Sequence, residues 1–231
     1  MAGIDRSLVR ALPLFARMSD ADLDRMLDQA TVRRVPAGEA VFEQGQKATA
    51  FFLLLHGRLK VMQVTPDGQQ IIVRMVHPGD IFGFAKALQR DDYPGTPVAA
   101  AESLVLSWPD TLWEELVEKN PNLVVNAMQS MGQRLQEAHV RIREMATEAV
   151  ERRVAHAVLR LAEKAGKPDG DGVRIDFPIT RQDIAEMTGT TLHTVSRILS
   201  GWEARGFVEG GRQKLVVRDR GALATLAKGG E

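Results

Sequence analysis

The chain has 231 residues, 30 Lys/Arg against 30 Asp/Glu, and no cysteine. Without cysteine there are no disulfides, no thiolate nucleophile and no cysteine-ligated iron–sulfur cluster. A formal charge of zero does not by itself point to nucleic acid or to a membrane surface.

The first segment, "LVRALPLFARM" followed by "DADLDRMLDQA", is amphipathic, carries acids among its apolar residues and lacks a secretory cleavage pattern. The longest apolar run, "ATAFFLLL" (48–55), is too short to span a bilayer. Cytoplasmic residence is the expectation. Residues 31–118 then change character. "VRRVPAGEAVFEQGQ" holds short β-leaning runs punctuated by Pro36, Gly38 and Gly45. "AFFLLLHGRLKVMQVTPDGQQIIVRMV" predicts three strands, broken at His56-Gly57 and at Pro66-Asp67-Gly68. "HPGDIFGFAKAL" supplies a further tight turn and "PVAAAESLVLSW" a further strand pair. Short strands at this spacing predict an antiparallel barrel or jelly roll.

From Pro109 the pattern is helical. Beginning at residue 121, Val124, Met128, Met131, Leu135, Ala138, Ile142 and Met145 alternate in steps of four and three, an a/d seam over about three heptads. Gln133, Arg134, Glu137, Arg141 and Glu144 fall on the flanks and are expected to be exposed. So narrow a stripe predicts a parallel pairing with a second copy; the alternative is a helix packed on its own sheet. A second helix, "ERRVAHAVLRLAEKAG", ends at Gly166, and "KPDGDG" (167–172) reads as a polar loop. A domain boundary is expected near 148.

In "TRQDIAEM", Thr180 and Asp183 make a helix N-cap with its acidic partner three residues on. "TGT" (188–190) turns the chain, and Thr191 caps the next helix. On that helix Val195, Ile198, Leu199 and Trp202 recur at i, i+3, i+4 and i+7 and define its buried face. His193, Arg197, Ser200 and Ala204 point the other way, with Ser196 at the edge. A capped helix, a tight turn and a second helix with a polar, non-acidic outer face match a helix-turn-helix. A hairpin, "FVEGGRQKLVVRD", follows with its turn expected at Gly210-Gly211, which makes the winged variant. Arg197 can bond guanine O6 and N7 together, and Ser196 and His193 can reach neighbouring base edges. Thr180, Arg181, Gln182, Thr191, Ser200, Arg212 and Lys214 are the candidate phosphate-backbone contacts. The charge is mildly biased the same way: residues 149–231 hold 14 Lys/Arg against 11 Asp/Glu.

These residues resemble the CRP/FNR superfamily of bacterial transcription regulators. The resemblance rests on "GDIFG" (79–83), the long helix and "ITRQDIAEMTGTTLHTVSRILSGWEARGFV", and covers nearly the whole chain. It implies an α+β chain: an eight-stranded β-roll sensor over 1–120, a dimerisation helix and hinge over 121–148, and a winged helix-turn-helix over 149–231. The dimer interface would be Met128, Met131, Leu135, Ala138, Ile142 and Met145. The implied partners are a second copy, a palindromic double-stranded DNA operator with TTG-type half-sites, and RNA polymerase. Phe84, Ala85, Tyr93, Leu135 and His139 would outline an effector pocket. Cyclic-AMP binders of the family carry a Gly-Glu pair and a later Arg-Ser pair; here Gly83-Phe84 and "YPGTPVAA" stand instead, so cyclic nucleotide is not expected. Carbon monoxide sensors place a haem-ligating histidine after the "GD" turn, and "FGFAKAL" has none. "TTLHTVSR" without cysteines is similar to the nitric-oxide-responsive NNR/DNR-like branch, which implies haem and control of denitrification genes. His139 is then the candidate axial ligand, His56 and His77 are expected to face solvent, and His156 to be a packing residue. No metal site is expected. Two alternatives remain at this stage: a regulator with another effector or none, and a cupin-type metal enzyme. Against the enzyme, the barrel histidines His56 and His77 stand alone, without a second ligand at strand spacing.

Overall fold

A computed structural model describes residues 6–229. They divide into two compact units, residues 6–64 with 74–137, and residues 65–73 with 138–229.

In the first unit, α1 (Arg6–Arg10), a 3-10 turn (Pro13–Phe15) and α2 (Asp20–Asp28) precede the strands. The Ser19 hydroxyl caps α2 by accepting from the Asp22 backbone N–H at 3.1 Å. The strands are β1 (Thr31–Val35), β2 (Ala50–Val64), β3 (Gln70–Val76), β4 (Ile81–Phe82) and β5 (Thr96–Pro109), with residues 74–76 of β3 in this unit and 70–73 in the second. They form one sheet in the order β1-β5-β2-β3, with β4 also on β2. α3 (Leu112–Lys119) and the long α4 (Pro121–Thr147) follow. Residues 121–137 of α4 belong to this unit and residues 138–147 to the second.

The run "FFLL" is apolar at every position because both of its faces are covered. Phe51 and Leu53 pack with Phe15, Leu23, Met26, Leu106, Trp108, Leu116 and Leu123, beneath the helices. Phe52 and Leu54 pack on the other side with Val35, Phe42, Leu59, Val76, Phe82, Tyr93 and Val105. The Trp108 indole N–H donates to the Met26 carbonyl at 2.7 Å, and its ring stacks on Phe51 at 5.3 Å.

Two expectations are corrected here. The strand predicted to stop at His56-Gly57 runs on as β2, paired with β5 along nearly its whole length. The register slips between Leu54 and Leu59, so the glycine serves a bulge rather than an end. For the same reason the sheet has five strands, two of them long and bulged, instead of eight; Ala40 and Lys47 contribute only isolated bridges.

In the second unit, α5 (Val150–Ala165) passes directly into a hairpin of β6 (Gly166–Asp169) and β7 (Gly172–Ile175). The segment read as a polar loop is therefore a hairpin; its two-residue turn, Gly170-Asp171 with Gly170 at φ 58°, is itself a hairpin signal. α6 (Arg181–Thr188), α7 (Leu192–Ala204), β8 (Val208–Gly211), β9 (Lys214–Val217) and α8 (Arg220–Ala227) complete the unit. Its sheet has the order β6-β7-β9-β8. The wing turn lies at Arg212-Gln213, two residues past the Gly210-Gly211 position expected, with Gln213 at φ 58°.

Gly57 lies at φ 91°, and a Cβ there would stand 2.3 Å from Ser103 Oγ and 2.5 Å from the Glu102 carbonyl oxygen. Gly57→Ala is expected to destabilise the protein by more than about 1 kcal/mol, combining a left-handed backbone with a backbone collision. A urea midpoint equal to that of the parent protein would contradict the bulge assignment.

Candidate nucleic-acid interface

The helix-turn-helix is built from caps. The Thr180 hydroxyl accepts from the Asp183 N–H at 3.0 Å, and the Asp183 carboxylate accepts from the Thr180 N–H at 2.9 Å, a reciprocal box that starts α6. Gly189, at φ 61°, ends α6 in the left-handed conformation that a side chain disfavours. The Thr191 hydroxyl then accepts from the Thr194 N–H at 3.2 Å and starts α7. Val195, Ile198, Leu199 and Trp202 are buried, and the Trp202 indole N–H donates to the Glu151 carboxylate on α5 at 2.8 Å. With that face fixed, His193, Arg197 and Ser200 are exposed and Ser196 is half-buried. Among the described residues the side chains of these four make no hydrogen bond or ion pair. Their donors are unspent.

Of the other cations named as phosphate contacts, two have internal partners. Arg181, expected to meet a phosphate, pairs with Glu203 of α7 at 3.0 Å. Glu203 reaches that position over Gly210, where a Cβ would stand 2.1 Å from its carboxylate oxygen. Gly210 is thus required for close approach and not for the wing turn. Lys214 lies 3.8 Å from Asp169, and Arg218 pairs with Glu209 and Asp169 at 2.5 and 3.4 Å. Arg212, on the wing turn, is exposed and has no such partner among the described residues. Gln182 donates to Glu186 at 2.9 Å, and the Thr180 and Thr191 hydroxyls are occupied as caps.

On the long helix the apolar row expected to meet a second copy is open to solvent, and part of the polar flank differs from expectation. Its apolar edge is the exposed side: Met128 is 67%, Leu135 57% and Ile142 63% exposed, and Met131, Ala138 and Met145 are exposed too. Three of the flanking residues expected at the surface are anchored instead. In the first unit Arg134 meets Asp80 at 3.3 Å. In the second, Glu144 is buried against Arg160 at 2.6 Å. Arg141 donates to the carbonyls of Ile72 at 3.0 Å, Val73, and Met187 of α6 at 3.2 Å. Nothing in the periodicity marks Arg141 as an anchor.

The histidines are dispersed. His56 and His139 are exposed. His77 is half-buried beside Arg58, not solvent-facing. His156 lies 3.2 Å from Glu148 and 3.9 Å from Glu144, so it joins a polar cluster and is more than packing. Among the described residues no three His, Asp or Glu side chains converge to hold a metal ion.

Of the residues expected to outline an effector pocket, Phe84 lines a cleft of about 390 Å³ beside α4 in the first unit, and the other four do not line it. Tyr93 and Ala85 are buried in the strand core, and Leu135 is exposed outside the cleft wall. The reason is ring packing. Tyr93 stacks on Phe42 at 3.7 Å, Phe42 lies 5.2 Å from Phe52, and Phe52 lies 5.3 Å from Phe82. These rings fill the space enclosed by the strands. The residues therefore do not fit a cyclic nucleotide there: the interior is occupied by aromatic side chains, and the segment 93–101 supplies no cation for a phosphate.

Residues 32–120 match the cyclic nucleotide-binding domain family and residues 152–226 the Crp-like helix-turn-helix domain family. The chain is 26% identical over 221 residues to the cyclic AMP receptor protein of Thermus thermophilus, covering 96% of this chain and 99% of that one. It is 27% identical over 223 residues to the global nitrogen regulator of Synechocystis, covering 96% and 98%. In fold it resembles a solved CRP/FNR-family transcriptional regulator of Thermus thermophilus, with a TM-score of 0.72 at 24% identity, covering 86% of this chain and 98% of that one.

Glu203→Gln should release Arg181 and add about one phosphate contact, steepening the salt dependence of DNA binding by roughly one unit of slope. Filter binding across a salt series checks this, and an unchanged slope would show that Arg181 faces no phosphate.

Proposed function

The chain belongs to the CRP/FNR family of DNA-binding transcription regulators, and we propose that two copies pair along α4 and read a palindromic operator of TTG-type half-sites. The observation that carries this is the outer face of α7. A guanidinium, an imidazole and two hydroxyls stand there without internal partners, on a helix whose opposite face is locked into its own unit. Arg197 bonds a guanine through O6 and N7, and His193 and Ser196 meet neighbouring base edges. Arg212 and Ser200 meet phosphates, as do Arg181 and Lys214 once drawn from their carboxylates. The exposed edge of α4 supports the pairing, since a water-facing apolar row of this length is seldom left uncovered. Pairing would set the two α7 helices about one DNA turn apart. RNA polymerase is the further partner in this reading, which rests on family membership.

For the effector, the reading is a small molecule other than haem or a cyclic nucleotide. No histidine lines the cleft beside α4, and its soft donors are the thioethers of Met128 and Met131. A histidine-ligated haem does not fit that lining. The nitric-oxide and denitrification expectation therefore gains no residue to carry it. Absorption spectra of haem-treated protein, with and without nitric oxide, test the point; a histidine-type spectrum that changes operator affinity would restore it.

Arg197→Ala should remove about 1–3 kcal/mol per half-site and bring operator affinity down toward that for unrelated DNA, while sedimentation still shows a dimer. Arg212→Ala should weaken both DNAs evenly. Full operator discrimination in the Arg197→Ala protein would refute the assignment.

A further inference from the structure

The cleft beside α4 has two unlike halves. Along one wall Phe84 and Trp113 lie nearly parallel, 16° apart with ring centroids at 6.5 Å, and the Arg134 guanidinium stands 5.9 Å from the Phe84 ring. Val117, Met128 and Met131 contribute to the rest of a mostly apolar lining. Asp80 and Arg134 are the charged residues in it, at 3.3 Å from each other. Asp80 is not given over to this pair. Its second carboxylate oxygen accepts from the His77 N–H at 2.9 Å and holds the β3–β4 turn. Arg134 has five donors, of which this long contact uses one. Close by, the partly buried Arg74 donates to the Ile81 carbonyl at 3.5 Å. Its guanidinium is held down to about 10, first by burial and next by the positive charge of Arg134. The site is therefore an apolar slot that ends at a cation with unused donors and a second cation close behind it.

We propose that this cleft binds a small amphipathic organic anion, an aromatic carboxylate whose ring lies among Phe84, Trp113 and the methionines and whose acid group is held by Arg134. The volume of about 390 Å³ falls in the usual range for small-molecule sites. An aromatic body suits the flat wall of Phe84 and Trp113, and methionine sulfur packs well on ring edges. The carboxylate can take a paired hydrogen bond from the guanidinium. It also lowers the positive potential at Arg74, which a neutral ligand cannot do. As the effector of the regulator this ligand rests on the function proposed above; as a binding site it stands alone. Met128 and Met131 belong both to the cleft and to the exposed edge of α4, so side chains of a second copy are the competing occupant.

Calorimetry on the full chain without DNA separates the two questions. The probes are 2-naphthylacetate and its uncharged analogue 2-naphthylacetamide. The acid is expected to bind at least tenfold more tightly than the amide. Arg134→Gln should bring the acid down to the amide's affinity, while Arg134→Lys keeps part of the preference. Ala87→Trp, at an exposed position on the cleft lining, should weaken both probes. Equal affinities for acid and amide, a preference that survives Arg134→Gln, or no binding of either probe at millimolar concentration each overturns the proposal. None of these results depends on how the operator is read.

Discussion

The polar side of α4 is anchored to its own chain, and that constraint decides what the helix can offer a partner. Glu144 is buried, and the cost of removing its carboxylate from water is offset by Arg160 at 2.6 Å, with His156 at 3.9 Å. Arg141 is fixed by three backbone carbonyls, groups that would otherwise need water or a further donor. In the first unit Arg134 is set against Asp80 and over Phe84. A helix fixed by these groups cannot rotate to bury Met128, Leu135 and Ile142 against its own chain. Their exposure follows from where the ion pairs are, and covering the exposed part of each such side chain is worth roughly 1–2 kcal/mol.

The same economy governs the helix-turn-helix. A chain with no net charge cannot rely on a broad positive field, so the placement of each cation matters more than their number. Arg181, Lys214 and Arg218 are restrained by Glu203, Asp169 and Glu209, whereas Arg197 and Arg212 are not. Internal pairing of this kind lowers the sequence-independent attraction to phosphate and leaves base contacts a larger share of the binding. Selectivity against a genome of competing sites depends on that ratio more than on absolute affinity.

How far the sequence could be read depended on whether each signal was local. The Thr180–Asp183 box, the Gly189 turn and the four-residue buried face of α7 are decided within one or two turns of chain, and they stand where expected. The apolar row of α4 was legible, but its anchors were not, because Ile72, Val73, Met187 and Arg160 are distant in sequence from the residues they fix. Gly57 was read as a strand end because a positive-φ glycine serves turns and bulges alike. Only the cross-strand neighbour Ser103 tells them apart. Gly210-Gly211 misled in a similar way: Gly210 leaves space for the Glu203 carboxylate, while Gln213 takes the left-handed position at the wing turn.

The least legible feature was which way one ring would face. Phe84 stands where the cyclic-nucleotide pattern has an acid, and a sequence reading places it in the enclosed pocket. In the structure Gly83 turns the chain at φ 73°, with Phe52 so close that a Cβ there would lie 2.7 Å from its ring. The strand interior is already closed by Phe42, Phe52, Phe82 and Tyr93, so a further ring has no room inside and Phe84 turns out toward Trp113. Arg134 then stands over that ring, 5.9 Å from its centroid. Phe84 thus builds an outer apolar wall beside a guanidinium with donors to spare, and the chemistry of the cleft follows from the packing of the strands behind it.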